Sequence, residues 1–287
     1  MPFVEGRRGR IHHHSWDAPE PEALVLLLHG LGEHLGLYDT LADRLTSANA
    51  SVVALDHAGH GRSDGTRVLV EDVRHLVDDA RTVLDLARRE HPDLPVVVIG
   101  HSLGATVGLL LTESLPDAVA GLVLSGSNLV EHEALGALLD SGLDLLALRK
   151  DPSELSGNAE YVARVREDPL VWTGGIRPET LRALLEATRR TAALVAGGRP
   201  AVPTLVVHGD ADDMAPVDGA RRVAGLLPDA RPAIFPGDRH NVLNDADRDR
   251  VHSVVAGFVR EATTAWTTAR DTARSSARTP HRETRIR

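Results

Sequence analysis

Ser102 stands in Gly100-His101-Ser102-Leu103-Gly104, directly after the apolar run Val96–Ile99 and before a helical pattern through Leu109, Leu110 and Leu111. A serine on a sharp turn from strand to helix presents its hydroxyl at the end of a sheet, and the helix N-terminus favours negative charge developing there. Glycines on both sides let a strained turn pack closely. A hydroxyl is a poor nucleophile until a base takes its proton, and an imidazole base needs a carboxylate to fix its tautomer. Both partners occur downstream, in the order serine, acid, histidine. After the run Thr204–Val207 comes His208-Gly209-Asp210-Ala211-Asp212-Asp213, so three candidate acids sit at the end of a predicted strand. Of fifteen histidines, only His240 falls between that loop and the last helical pattern; His252 lies inside the pattern and His281 beyond it. A Ser102 that merely capped a helix would leave this ordered acid and base unexplained. The constellation predicts acyl transfer through a serine ester. Two backbone amides should then hold the oxyanion. One belongs to Leu103, and the other to Leu31 in the loop His29-Gly30-Leu31-Gly32.

The elements that must position these groups are legible as alternating periodicities. Leu24–Leu28, Val52–Leu55, Val96–Ile99, Leu122–Leu124 and Thr204–Val207 are short, continuously apolar and mostly rich in β-branched residues, as suits strands covered on both faces. Val73, Leu76, Val77, Ala80, Val83, Leu84 and Ala87 repeat at helical spacing, as do Val251, Val254, Val255, Phe258 and Val259. The stretch from Gly36 to Ala50 reads as a further amphipathic helix. Strand alternating with helix predicts a mostly parallel, doubly wound α/β sheet. The alternation lapses between about Ser127 and Arg199, where helical stretches, notably Ala134–Leu148, occur without a good strand. A core over residues 1–126 and 201–262 with a helical cap over 127–200 is therefore expected. The tail, 263–287, carries six arginines against Asp271 and Glu283 and is expected to be frayed or disordered.

Composition narrows the function classes. The 287 residues carry a net charge of −9, which argues against nucleic acid as a partner. With no cysteine, thiolate catalysis, disulfides and cysteine metal sites are all excluded. His12-His13-His14 on a strand would point to alternate faces, and His57 and His60 lie in a glycine-rich loop, so no metal and no cofactor is expected. Neither a secretory signal nor an apolar run long enough to span a bilayer is visible, which predicts a cytoplasmic protein.

Several blocks together resemble the monoglyceride lipases and the related lysophospholipases, which are serine α/β-hydrolases. They are His29-Gly30-Leu31-Gly32-Glu33-His34, the run from Asp56-His57-Ala58-Gly59-His60-Gly61 to Arg62-Ser63-Asp64-Gly65, and the block around Ser102. Asp168-Pro169-Leu170 and the His208 loop also fit, and the likeness runs through about residues 20–260. The resemblance implies an α/β-hydrolase fold with a helical cap, cleaving one acyl chain from a glycerol-like alcohol. It implies Asp212 as the acid, four residues after His208. Gly30, Glu33 and His101 become candidates for substrate contact, and the cap a candidate for transient contact with a membrane or lipid surface. A general carboxylesterase or lysophospholipase is the alternative within enzymes, and a non-catalytic ligand-binding protein the alternative outside them. The chain departs from the family at Leu37, where arginine is usual, at Ala105, where glycine is usual, and at Asn241, where glutamate is common.

Overall fold

The computed structural model describes residues 2–127, 129–130 and 133–277. Eight strands form one sheet in the order β1-β2-β4-β3-β5-β6-β7-β8: β1 (Phe3–Gly6), β2 (Gly9–Trp16), β3 (Ala23–Leu28), β4 (Ala50–Leu55), β5 (Val96–His101), β6 (Val119–Ser125), β7 (Thr204–Gly209) and β8 (Ala230–Phe235). From β4 to β8 every pairing is parallel, whereas β1 and β2 form an antiparallel hairpin on one edge. That hairpin was not expected. Its signal is Gly6-Arg7-Arg8-Gly9, two glycines framing a two-residue turn.

Alternation along the central strands divides the core in two. Leu24, Leu26, Leu28, Val96, Val98, Leu122 and Leu124 face one side, with α2 (Val73–Glu90), α3 (Leu103–Ser114), α7 (Pro178–Ala196) and α8 (Val217–Leu226) over them. Val25, Leu27, Val97, Ile99, Val123 and Val207 face the other, under α1 (Asp39–Thr46) and α9 (Arg248–Ala277). Because both faces are covered, these strands are apolar at nearly every position instead of every second one. Side-chain direction in a strand repeats every two residues, so each strand can feed both layers.

Between β6 and β7 the described residues form helices and no strand: α4 (Glu133–Leu139), α5 (Pro152–Leu155), α6 (Ala159–Glu167) and α7. Of these, α7 packs on α2, α3 and α8 and is continuous with the layer over the sheet. The helix expected over Ala134–Leu148 stops at Leu139. Gly142 takes a positive φ of 70°, and Asp144 accepts hydrogen bonds from the amides of Leu146 and Ala147, an arrangement that competes with helix. The helix expected from Gly36 to Ala50 is likewise shorter: α1 ends at Thr46, and Asn49 turns the chain at φ 61° just before β4. Residues 263–277 of the expected loose tail continue α9 as regular helix, and 278–287 lie outside the described residues.

Asp56, at the end of β4, ties the hairpin edge to this core. One carboxylate oxygen accepts from the Leu35 amide at 2.8 Å, and the other meets His12 Nδ1 at 2.9 Å and the Arg62 amide at 2.8 Å. Removing a buried acceptor leaves its donors unpaired at about 1–3 kcal/mol each. Asp56→Ala should therefore lower the melting temperature by several degrees, measured by circular dichroism, with loss of protection at Leu35 and Arg62 in amide hydrogen exchange.

Candidate active site

The end of β5 forces Ser102 into an unusual backbone conformation, φ 50° and ψ −114°, before α3 begins at Leu103. A non-glycine residue there is strained and persists only because its surroundings over-determine it. Its amide donates to Ser125 O at 2.9 Å. A Cβ on Gly100 would collide with the Gly104 carbonyl, and one on Gly104 with Leu28 O, so both glycines of the turn are required by close approach. Ala105, in place of the more usual glycine, is a fully buried residue of the first turn of α3.

Three loops from the carboxyl ends of strands meet at this serine. His240, which follows β8, has Nε2 3.0 Å from Ser102 Oγ and Nδ1 2.9 Å from Asp212 Oδ2. Asp212, after β7, turns its second oxygen to the amides of Met214 and Ala215, each at 2.9 Å. His208 Nε2 lies 3.1 Å from Asp212 Oδ2 and 2.6 Å from Ala215 O. Burial alone would raise the Asp212 carboxyl, but the hydrogen bonds from His208 and His240 outweigh it and hold the group well below the usual carboxylate range. The other acids of the loop are placed elsewhere: Asp210 accepts from Gly237 N at 2.7 Å, and Asp213 is exposed. A hydroxyl, an imidazole and a buried anionic carboxylate in a line can pass a proton from the serine and stabilise the resulting imidazolium. Leu103 offers the first amide of α3, a donor with no partner inside its helix, and Leu31 lies on the neighbouring loop after β3.

Glu33 and His101 are buried beside this line. The Glu33 carboxylate accepts from Tyr38 OH at 2.6 Å, Asn241 Nδ2 at 2.7 Å, the Gly30 amide at 2.8 Å and Tyr161 OH at 3.2 Å. His101 Nε2 is 3.9 Å from it. Against the upward push of burial, His101, Tyr38 and Gly30 lower Glu33 to about 2. Its lone pairs are thus spent on protein donors, not presented to a substrate. His101 packs edge-on to His240 with ring centres 5.0 Å apart, and burial lowers it to about 4. The Leu31 loop is also stitched to the segment between β6 and β7: Trp172 N donates to Gly32 O at 2.7 Å, and His34 Nε2 lies 2.9 Å from Asp168. Thus the separated sequence blocks around Glu33 and Asp168 are parts of one contact. Sequence reasoning missed the roles of Tyr38, Tyr161 and Asn241. Tyr161 lies 128 positions from Glu33 without a motif, whereas Asn241 beside His240 was a visible departure.

A family model described as serine aminopeptidase, S33, matches residues 19–247. The chain belongs to that family. Among curated relatives of this S33 hydrolase is the monoacylglycerol lipase of Mycolicibacterium smegmatis, 34% identical over 265 residues, covering 87% of this chain and 92% of the relative. The monoglyceride lipase of Mus musculus is 34% identical over 209 residues, 70% of this chain and 68% of the relative. The crystal structure of Paleococcus ferrophilus monoacylglycerol lipase aligns with a TM-score of 0.74 at 28% identity, covering 88% of this chain and 99% of that one. The α/β-hydrolase fold and the monoglyceride-lipase-like family expected from the sequence both hold.

Two measurements probe this site. Glu33→Gln keeps the shape but removes the charge that gathers the loops of Leu31 and His240. Turnover should fall by about 100-fold, with little change in KM, since small misplacements of reacting groups act on the chemical step. The second is stability against pH. Burial lowers His29 and His57, brings His60 to about 3 and His101 to about 4, so the fold holds these rings neutral. Their folded values lie below the ordinary 6.5, so their contribution is complete above that pH and declines as pH falls towards 4. Asp238, raised to about 6 by burial and Asp245, and Asp79, also raised by burial, act in the opposite sense over part of this window, against the larger set of histidines that burial lowers, which includes His13 and His252. Thermal melts from pH 7.5 to 4.5 should fall steadily, and the decline should be shallower in His60→Gln.

Proposed function

We propose that the chain hydrolyses monoacylglycerols to a fatty acid and glycerol through an ester of Ser102. The observation that carries this reading is the continuous hydrogen-bonded line from Ser102 Oγ through His240 to Asp212, in a chain similar over most of its length to monoacylglycerol lipases. His240 Nε2 takes the hydroxyl proton as Ser102 Oγ attacks the ester carbonyl. The amides of Leu31 and Leu103 receive the oxyanion. His240 then protonates the leaving alcohol, draws a proton from water, and the hydroxide so formed releases the acid and restores the serine. Asp212 keeps the proton on Nδ1 and stays anionic throughout, as its depressed pKa favours.

Residues from α4 to α6 serve as a cap over the three loops. Leu143, Leu146 and Leu148 are 58%, 41% and 40% exposed in the irregular stretch between α4 and α5, an apolar edge suited to transient contact with the lipid surface that holds the substrate. Among the described residues no helix is long and apolar enough to cross a membrane. A general carboxylesterase is the second reading, favoured by Leu37, a buried apolar side chain at a point where the chain departs from the monoglyceride-lipase pattern it resembles.

Hydrolysis of 1-oleoylglycerol, dioleoylglycerol, lysophosphatidylcholine and a short p-nitrophenyl ester separates these readings. The monoacylglycerol should be preferred, and faster turnover of the short ester would support the esterase. Ser102→Ala should retain only a trace of activity, and Asp212→Asn should lose roughly 10⁴ in turnover because the imidazole is left in the wrong tautomer. Failure of the folded wild type to react with a fluorophosphonate would point instead to a non-catalytic binding protein.

A further inference from the structure

The turn between β1 and β2 carries two arginines, Arg7 and Arg8, and is fixed in place from below. Asp79, on α2 and 1% exposed, accepts from the Arg7 amide at 2.7 Å. A Cβ on Gly6 would collide with Ile11 and Asp79, so the turn lies directly against α2. Beside it opens a cavity of about 620 Å³, which Arg7 and Arg8 line together with Arg74 and Arg81 of α2 and Arg190 of α7. Five guanidiniums from distant parts of the chain thus share one recess with the carboxylates of Asp72 and Asp78. Ser114, the last residue of α3, also lines it, about 16 Å along that helix from Leu103, so the recess is separate from the Ser102 line.

The ion pairs of these arginines leave their charge available. Arg7 meets Asp78 at 2.8 Å, Arg8 meets Glu71 at 2.5 Å and Arg74 meets Asp72 at 2.5 Å, with all three guanidiniums more than half exposed. Pairs in water contribute little and are readily given up to a better acceptor. Arg81 has a long contact of 3.8 Å with Asp85 on its own helix, and Arg190 forms no hydrogen bond or ion pair among the described residues. Guanidinium forks match phosphate oxygens in bidentate fashion, and several together suit an anion of several charges. An acyl chain would find little to bury, since Leu110 in the floor is 7% exposed and Val77 is half-buried. A nucleic acid or a bilayer would press on the surface around the recess as well, in a chain of net charge −9. A ligand small enough to stay inside meets mainly the guanidiniums.

We propose that this recess binds a small soluble polyanion bearing two or more phosphate groups. Arg81 and Arg190 grip it, and Arg7, Arg8 and Arg74 exchange their carboxylate partners for its oxygens. The site is independent of the reading of Ser102 as the nucleophile.

The test is isothermal titration calorimetry with inorganic tripolyphosphate, at low salt and without divalent cations. It compares wild type, Arg81→Gln, Arg190→Gln, the double variant and Arg231→Gln, a control at an exposed arginine of β8 outside the recess. Wild type and Arg231→Gln should bind a single tripolyphosphate per chain, more tightly than orthophosphate, with affinity falling as salt is added. Arg81→Gln and Arg190→Gln should each weaken binding by about tenfold, the scale of a hydrogen bond from a charged donor, and the double variant by more. Tripolyphosphate should also raise the Tm of wild type and leave that of the double variant unchanged. No binding by wild type, or one affinity across all five proteins, overturns the inference. So does tighter binding of decanoate that the double variant loses, which would make this a fatty-acid groove. Co-sedimentation with phosphatidylglycerol vesicles in place of tripolyphosphate binding would overturn it too, as the mark of a lipid surface.

Discussion

A carboxylate removed from water has to be surrounded by donors, and meeting that demand at Glu33 draws the site together. Its four protein donors come from the Leu31 loop, the start of the α1 region, helix α6 and the loop after His240. An unpaired charge at this depth would cost several kcal/mol, so these four segments have to assemble around it together. The Leu31 loop, the His240 loop and helix α6 are thereby linked through one anion held well below the usual carboxylate range. The family difference at position 241 has a physical meaning here. Asn241 donates to Glu33 at 2.7 Å, whereas a glutamate in its place would set a second carboxylate against the first.

The proposed chemistry depends on a second buried anion with the opposite task. Asp212 is held ionised by His208, His240 and two amides, and hands its negative field to His240. Between the two carboxylates lie His101 and His240, edge to face, the first kept neutral by burial. The sheet supplies the rigidity this needs. Each loop of the Ser102, His240 and Asp212 line starts at the carboxyl end of a strand, and β5 and β7 are buried at every position. Strain at Ser102 is tolerable because glycines 100 and 104 let α3 and β3 close on it without room for a side chain.

The sequence alone carried the parallel sheet, since covered strands leave continuous apolar runs, and the strand-turn-helix setting of Ser102, since glycines and periodicity are local signals. The order of acid and histidine along the chain was equally readable, although the bare spacing left Asp210, Asp212 and Asp213 open. Geometry separated them: only Asp212 turns an oxygen to His240, while Asp210 is drawn off to Gly237. Helix ends were less legible. Gly142, Asn49 and Asp144 stop or start elements through backbone conformations and side-chain bonds that an apolar repeat does not register. Contacts such as those of Tyr161 and Asn241 with Glu33 leave no trace in linear spacing. They exist because a sheet brings the ends of distant strands to one edge and a buried charge then recruits whatever donors lie within reach.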